Sequence, residues 1–159
     1  MTAWLRRAGR GRSHDGGVVV WSVAEGRRGR RWRWTVSRGG WLERSALAEV
    51  DDRGLFGRLE LVTAAGQLTF HPDGDSRFAH GNVVTPAGVR HLSVPWSAEW
   101  GIALEGDPFG SALLGGAGAT LVIDAALSIR PSEARTELRP VDDRGIPILD
   151  DAVDWALEE

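Results

Sequence analysis

At 159 residues the chain is long enough to bury one core and too short for two comfortable domains. Its 42% hydrophobic and 26% charged content is that of a folding globular protein, and the absence of cysteine removes disulfides, thiolate nucleophiles and cysteine-held zinc or iron–sulfur centres. The net charge of −3 conceals two ends of opposite sign: residues 1–40 carry +8 and the remainder −11, with arginine supplying every cation. No stretch approaches the about 20 apolar residues of a membrane helix. The opening residues Met1-Thr2-Ala3-Trp4-Leu5-Arg6-Arg7 lack the apolar core of an export signal, so the expectation is a cytoplasmic chain without a membrane span.

Residues 1–16 read as a flexible basic arm, because residues 5–17 are polar, glycine-rich and without a hydrophobic period. Residues 17–159 are then a single β-rich domain. Val18-Val19-Val20-Trp21-Ser22-Val23 is rich in β-branched residues and bounded by glycine, which predicts a buried strand. Its partner is 31–37, where Trp32, Trp34 and Val36 share one face and Arg33 and Thr35 the other. Segment 41–50 suits a helix or a strand, since Leu42, Ala46 and Ala48 fit both periods; the strand is preferred. Asp51-Asp52-Arg53-Gly54 is a turn, followed by a strand over 55–63 with Leu59 and Leu61 on one face. Ala64-Ala65-Gly66 turns the chain into 67–71, and Pro72-Asp73-Gly74-Asp75 turns it again.

The clearest hairpin spans 78–96 around Thr85-Pro86-Ala87-Gly88, a composition suited to a type I turn. With Val84 opposite Val89, the residues Ala79, Gly81 and Val83 share a face with Leu92 and Val94. His80, Asn82, His91 and Ser93 then lie on the other, and a bulge would shift this by one residue. Beyond it come a strand over 100–104, the turn Glu105-Gly106-Asp107-Pro108, a further short segment over 109–114, a glycine-rich connection over 115–119 and an apolar strand over 120–129. Residues 135–140 read as one more edge strand. Only 149–157 has helical spacing, with Asp150 available as its N-cap. Val-Asp-Asp-Arg-Gly occurs at 50–54 and 141–145, and two similar hairpin turns explain it better than a duplicated half-domain, since the flanks do not match.

Three clusters could carry chemistry. The chain has eight tryptophans, four phenylalanines and no tyrosine. In a β protein, tryptophan fills the core or lines a pocket where its broad face stacks on sugars or acyl chains. Trp96 and Trp100 flank Ser97-Ala98-Glu99 in a loop and are the two best placed to line an opening. The run Arg27-Arg28-Gly29-Arg30-Arg31-Trp32-Arg33-Trp34 interleaves cations with aromatics, as nucleic-acid binders do, although a solvated hairpin loop leading into a strand with inward tryptophans gives the same pattern. His71, Asp73 and Asp75, with His80 and His91 nearby, invite an acid–base or metal reading. Turn chemistry accounts for both aspartates, however, and the run matches no recognised ligand motif, so no metal or cofactor is expected. Neither a phosphate-binding glycine loop nor a nucleophile elbow is present, and enzyme chemistry is left without support.

The stretch from Trp41-Leu42-Glu43-Arg44 through Leu59-Glu60-Leu61, Leu68-Thr69-Phe70-His71-Pro72 and His80-Gly81-Asn82-Val83-Val84 to Gly88-Val89-Arg90-His91-Leu92 resembles a bacterial family of spiral β-rolls to which glycolipid binding is ascribed. The resemblance covers about half the chain. It implies a long antiparallel sheet wrapped around a central helix, and no particular binding residue.

The expected fold is therefore mainly β, an antiparallel meander forming a β-roll or open barrel, with a short C-terminal helix. The leading function is non-enzymatic binding of an amphipathic or sugar-bearing small molecule, of lipid or glycolipid type, in an apolar cleft lined by Trp96, Trp100, His80, Asn82 and His91. One alternative is a nucleic-acid or acidic-partner adaptor using Arg27, Arg28, Arg30 and Arg31. The other is a hydrolase or isomerase in which His80 or His91 meets a carboxylate in a cleft. An unpaired sheet edge or an exposed tryptophan patch would also allow a homodimer.

Overall fold

Short apolar and polar alternations separated by two-residue turns leave the chain one economical arrangement, in which each strand pairs with the next. The computed structural model describes residues 5–12, 16–75, 77–132 and 156–158. Eight strands follow one another as an antiparallel meander: β1 (Leu5–Arg12), β2 (Gly17–Gly26), β3 (Gly29–Arg38), β4 (Trp41–Val50), β5 (Phe56–Thr63), β6 (Gly66–Pro72), β7 (Phe78–Thr85) and β8 (Gly88–Pro95). After them come β9 (Gly101–Leu104), a six-residue helix α1 (Pro108–Leu113), β10 (Thr120–Ile123), β11 (Ile129–Ser132) and β12 (Ala156–Glu158). β12 pairs with β1, so the large sheet runs β12-β1-β2-β3-β4-β5-β6-β7-β8. Its outer strands, β12 and β8, are not joined, and the sheet is an open roll. A second sheet, β11-β10-β9, has β9 and β10 parallel, with α1 lying in the connection between them.

The core lies between one face of the large sheet and the small sheet with its helix. Register explains how that face fits. One row across the sheet reads Trp21, Trp34, Ala46, Leu61, Leu68 and Val83; the next reads Val23, Trp32, Ala48, Leu59, Phe70, Gly81 and Leu92. The alanines of β4 beside the tryptophans of β3 give the large-beside-small alternation that interdigitating layers need. Phe109 of α1 packs among Trp21, Trp32 and Trp34, with ring centroids 6.5, 6.1 and 5.8 Å away. Contacts of this kind add about 0.5–1.5 kcal/mol each beyond the area they bury.

The helix is held in place by polar bonds as well. Asp107 is its N-cap: Oδ1 accepts from the Gly110 N–H at 2.9 Å, and Oδ2 accepts from Trp34 Nε1 at 2.8 Å. Ser111 Oγ accepts from the Leu104 N–H and donates to the Leu104 carbonyl, fastening α1 to β9. Gly110 allows the closest approach, since a Cβ there would lie 2.7 Å from both the Trp34 ring and Leu104 Cδ1. Across the sheet, the buried Arg44 donates through Nη1 to the Glu105 carbonyl at 3.0 Å, and its charge faces Asp107.

Three expectations change. Most of the segment read as an arm, Leu5–Arg12, is strand β1, paired along its whole length with β2. Backbone pairing needs no hydrophobic period, and the arginines at alternate positions simply point to solvent. Residues 109–114 do not continue the meander. Proline at the first helical position behind an aspartate cap, with Phe109 anchored among the tryptophans, makes 108–113 the helix. The C-terminal helix expected over 149–157 falls largely outside the described residues; the part described, Ala156–Glu158, is strand β12. The edge strand expected over 135–140, and the second Val-Asp-Asp-Arg-Gly turn, also lie outside them. The ambiguous 41–50 segment is strand β4, as preferred, and Val84 does oppose Val89.

Candidate functional site

A cleft of about 340 Å³ opens where three connections meet: the β4–β5 turn, the loop after β8, and the chain leaving α1. The turn is Val50-Asp51-Asp52-Arg53-Gly54-Leu55. Asp51 folds it by accepting, through Oδ1, the N–H groups of Arg53 and Leu55, both at 2.9 Å. The Leu55 N–H has the largest influence and, with the weaker Arg53 N–H and guanidinium, holds the Asp51 carboxyl below the usual carboxylate range against burial, the second-largest effect. The loop after β8 is fixed by the Trp96 N–H on the Arg77 carbonyl, a Ser97 to Trp100 turn, and the Gly118 N–H on the Glu99 carbonyl. These bonds leave Trp100 half-buried in the cleft wall, facing Leu55, Phe56, Leu113 and Leu114.

Trp96 stands behind that wall. It is 4% exposed, meets Trp100 edge-on at 6.3 Å, and packs on Phe56 at 5.4 Å and Phe70 at 6.3 Å. The cleft is thus an apolar slot against a stiff aromatic stack, with polar side chains from Arg53 and Glu99 among its lining. The Arg53 side chain is 76% exposed, and among the described residues it is paired with Asp51, through Nη2 and Oδ2 at a long 3.4 Å. Its guanidinium is available to an anionic group at the opening.

The expected lining residues are not brought together. Trp100 is in the cleft and Trp96 supports it, but His80, Asn82 and His91 lie on the outer face of the large sheet, as the Val84–Val89 register requires. There His80 Nε2 is 2.8 Å from Asp73 Oδ2, with both side chains 41% exposed, and His91 Nδ1 is hydrogen-bonded to Asn82 Oδ1. A histidine–carboxylate pair therefore exists, but on an open face rather than in a cleft. The hydrolase or isomerase reading needed convergence in a cleft, and the geometry does not supply it. Among the described residues no group of three His, Cys, Asp or Glu is arranged to hold a metal ion.

The arginine-rich hairpin divides similarly. Arg27 and Arg28 are exposed at the β2–β3 turn. Arg30 is paired with Glu25 at 3.1 Å, and Arg31 with Glu49 at 2.7 Å. Trp32 and Trp34 are 3% and 1% exposed and face the core, so the interleaved aromatics offer no stacking platform for bases. Sequence reasoning missed Leu55, Phe56, Leu113 and Leu114, which reach the cleft from elements far apart in the chain. Arg53 carried a local indication, since the turn that presents it was recognisable.

The fold is that of an open antiparallel β-roll closed on its concave side by a small sheet and a short helix. No family model matches this chain, and no curated protein or solved structure matches it either. Among the described residues no helix is long and apolar enough to cross a membrane.

Proposed function

We propose that this protein binds a small amphipathic molecule, of lipid or glycolipid type, with its apolar part in the cleft beside Trp100 and an anionic or polar head at Arg53. The observation that carries the reading is the cleft itself: about 340 Å³, apolar-walled, backed by the Trp96–Trp100 stack and with the largely exposed Arg53 at its lining. Ligand sites typically occupy about 300–1,000 Å³ with mostly apolar walls and a few convergent polar groups. A slot at the lower end of that range suits one ring system or a short acyl segment rather than a whole two-chain lipid. The resemblance to the spiral β-rolls points to the same ligand class.

The test is binding of a fluorescent anilinonaphthalene sulfonate, an apolar body with an anionic head, alongside native mass spectrometry of protein equilibrated with a bacterial lipid extract. Ala117→Trp, which fills the exposed side of the cleft without entering the core, is expected to weaken binding by at least about tenfold, the loss of roughly 1.4 kcal/mol or more. Arg53→Ala is expected to weaken the anionic probe about three- to tenfold and a neutral analogue hardly at all. A protein that stays empty in the extract and gives the same probe signal with and without Ala117→Trp overturns the reading.

His80→Ala and His91→Ala serve as controls. On an exposed face each is expected to change stability by no more than about 1 kcal/mol and to leave probe affinity unchanged.

A further inference from the structure

On the face of the large sheet opposite the core, β1 presents Arg6, Arg10 and Arg12 at alternate positions, with Ala8 between the first two, and β3 presents Arg31 and Arg33. Between them the outward side chains of β2 are small or aliphatic: Val18, Val20, Ser22 and Ala24. This leaves a shallow groove of about 440 Å³ with a low floor of Ala8, Ser22 and Ala24 and guanidinium walls from Arg6, Arg31 and Arg33. Glu49 neutralises Arg31, but among the described residues no carboxylate pairs with Arg6, Arg12 or Arg33.

The same face carries apolar surface that the fold does not use. Val20 is 53% and Leu42 62% exposed, whereas Trp41, beside Leu42 at the tip of the β3–β4 hairpin and 80% exposed, pairs with Arg38 and so projects from the opposite face. Register places Leu42 in the row Arg12, Val18, Ser37, Leu42, and Val20 in the adjoining row Arg10, Val20, Thr35, Ser45. Cations and aliphatic side chains thus share one exposed surface. Of the described tryptophans, Trp21, Trp32, Trp34 and Trp96 are buried and Trp100 is half-buried, so Trp41 stands apart.

We propose that the outer face of β1–β4 docks on an anionic lipid bilayer, with Val20 and Leu42 entering the headgroup region and Arg6, Arg12 and Arg33 meeting lipid phosphates. Arginine side chains provide charge complementarity and bidentate hydrogen bonds to phosphate. The exposed aliphatic side chains among the arginines add apolar area that contact with the bilayer buries. A single-stranded nucleic acid fits this face less well. The arginines interleave with Trp32 and Trp34 in sequence, yet those rings are turned into the core, and aliphatic Val20 and Leu42 are exposed where bases need aromatic partners. This surface is separate from the cleft, and the proposal does not depend on the cleft's occupancy.

Sedimentation of the full chain with vesicles tests it. Binding is expected to phosphatidylcholine vesicles containing about 30% phosphatidylglycerol, to fall at least about tenfold with phosphatidylcholine alone, and to be lost in about 0.5 M salt. Val20→Ser with Leu42→Ser, and separately Arg6→Gln with Arg12→Gln and Arg33→Gln, are each expected to reduce it about tenfold or more. These side chains are exposed, so the thermal transition of each variant should match the parent and exclude misfolding as the cause. Absence of binding to the anionic vesicles, or binding that neither variant set weakens, overturns the proposal. So does tight retention of a single-stranded oligonucleotide with no affinity for vesicles, which would assign the surface to nucleic acid.

Discussion

Gly81→Ala should be among the most damaging single-methyl changes in the large sheet, costing at least about 3 kcal/mol and leaving little folded protein at physiological temperature. Gly81 lies on the inward face of β7, between Phe70 of β6 and Leu92 of β8. A Cβ built there would sit 1.9 Å from the Thr69 carbonyl oxygen and 3.1 Å from the Phe70 Cα. The obstruction is backbone, so no rotamer relieves it. The two strands must separate at the centre of their pairing, where Phe70 and Ala79 are fully buried. Overpacking against side chains typically costs about 1–3 kcal/mol, and a backbone collision belongs above that range. Gly74→Ala is the control: its Cβ meets nothing within 4 Å and its φ is not positive, so a change within about 0.5 kcal/mol is expected. Urea midpoints of the two variants compare them directly; a Gly81→Ala protein within 1 kcal/mol of the parent, roughly the cost of an ordinary substitution, would show that β6 and β7 are not as closely paired as described.

Asp107→Ala is the second large effect, about 2–4 kcal/mol. It removes the α1 N-cap, about 1 kcal/mol, and leaves the Trp34 indole N–H buried without an acceptor, about 1–3 kcal/mol. For a chain of this length the midpoint of thermal unfolding should fall by about 5–15 °C. Asp107→Asn separates shape from charge. One amide oxygen cannot serve both N–H donors in the positions of two carboxylate oxygens, so this variant is expected to lose about half as much. It also carries a pH signature. Burial pushes the Asp107 carboxyl above the ordinary carboxylate range, outweighing the Gly110 and Trp34 hydrogen bonds and the Arg44 charge that pull it down. The folded chain therefore holds this proton to higher pH than the unfolded chain. The associated stabilisation is fully present below the unfolded value and is lost as pH rises through the folded one. The gap between the parent and the non-titrating Asp107→Asn variant should accordingly widen as pH falls from neutrality through the folded value. A gap independent of pH over that range would mean that Asp107 does not titrate in a buried setting.

Much of the architecture was legible from alternation and turn residues. Trp32, Trp34 and Val36 at alternate positions gave a one-sided strand, and Thr85-Pro86-Ala87-Gly88 gave a hairpin whose register the structure bears out. Segment 41–50 resisted because Ala46, Leu47 and Ala48 are all buried. Leu47 points outward but sits between Arg33 and Glu60, whose aliphatic stems flank it, so the period of two is obscured. β1 was missed for the opposite reason: its inward positions beside β2 include Arg7, Gly9 and Gly11, which leave no apolar alternation to read. The helix α1 is too short to show a period, and its Asp-Pro start was legible only as a turn.

The sequence by itself determined the meander, because strand pairing between neighbours in the chain depends on local turns and on a period of two. It left the histidines of β7 and β8 dependent on register, and only the Val84–Val89 pairing put them on the outer face. Only the tertiary structure decided the candidate site, because the cleft gathers Leu55, Phe56, Trp100 and Leu114 from connections that no local pattern brings together. It likewise decided that Trp32 and Trp34 are covered while Trp41 is left exposed. That choice depends on which face of the sheet α1 and the small sheet cover, a contact between segments more than 60 residues apart, as the Trp34–Asp107 bond records.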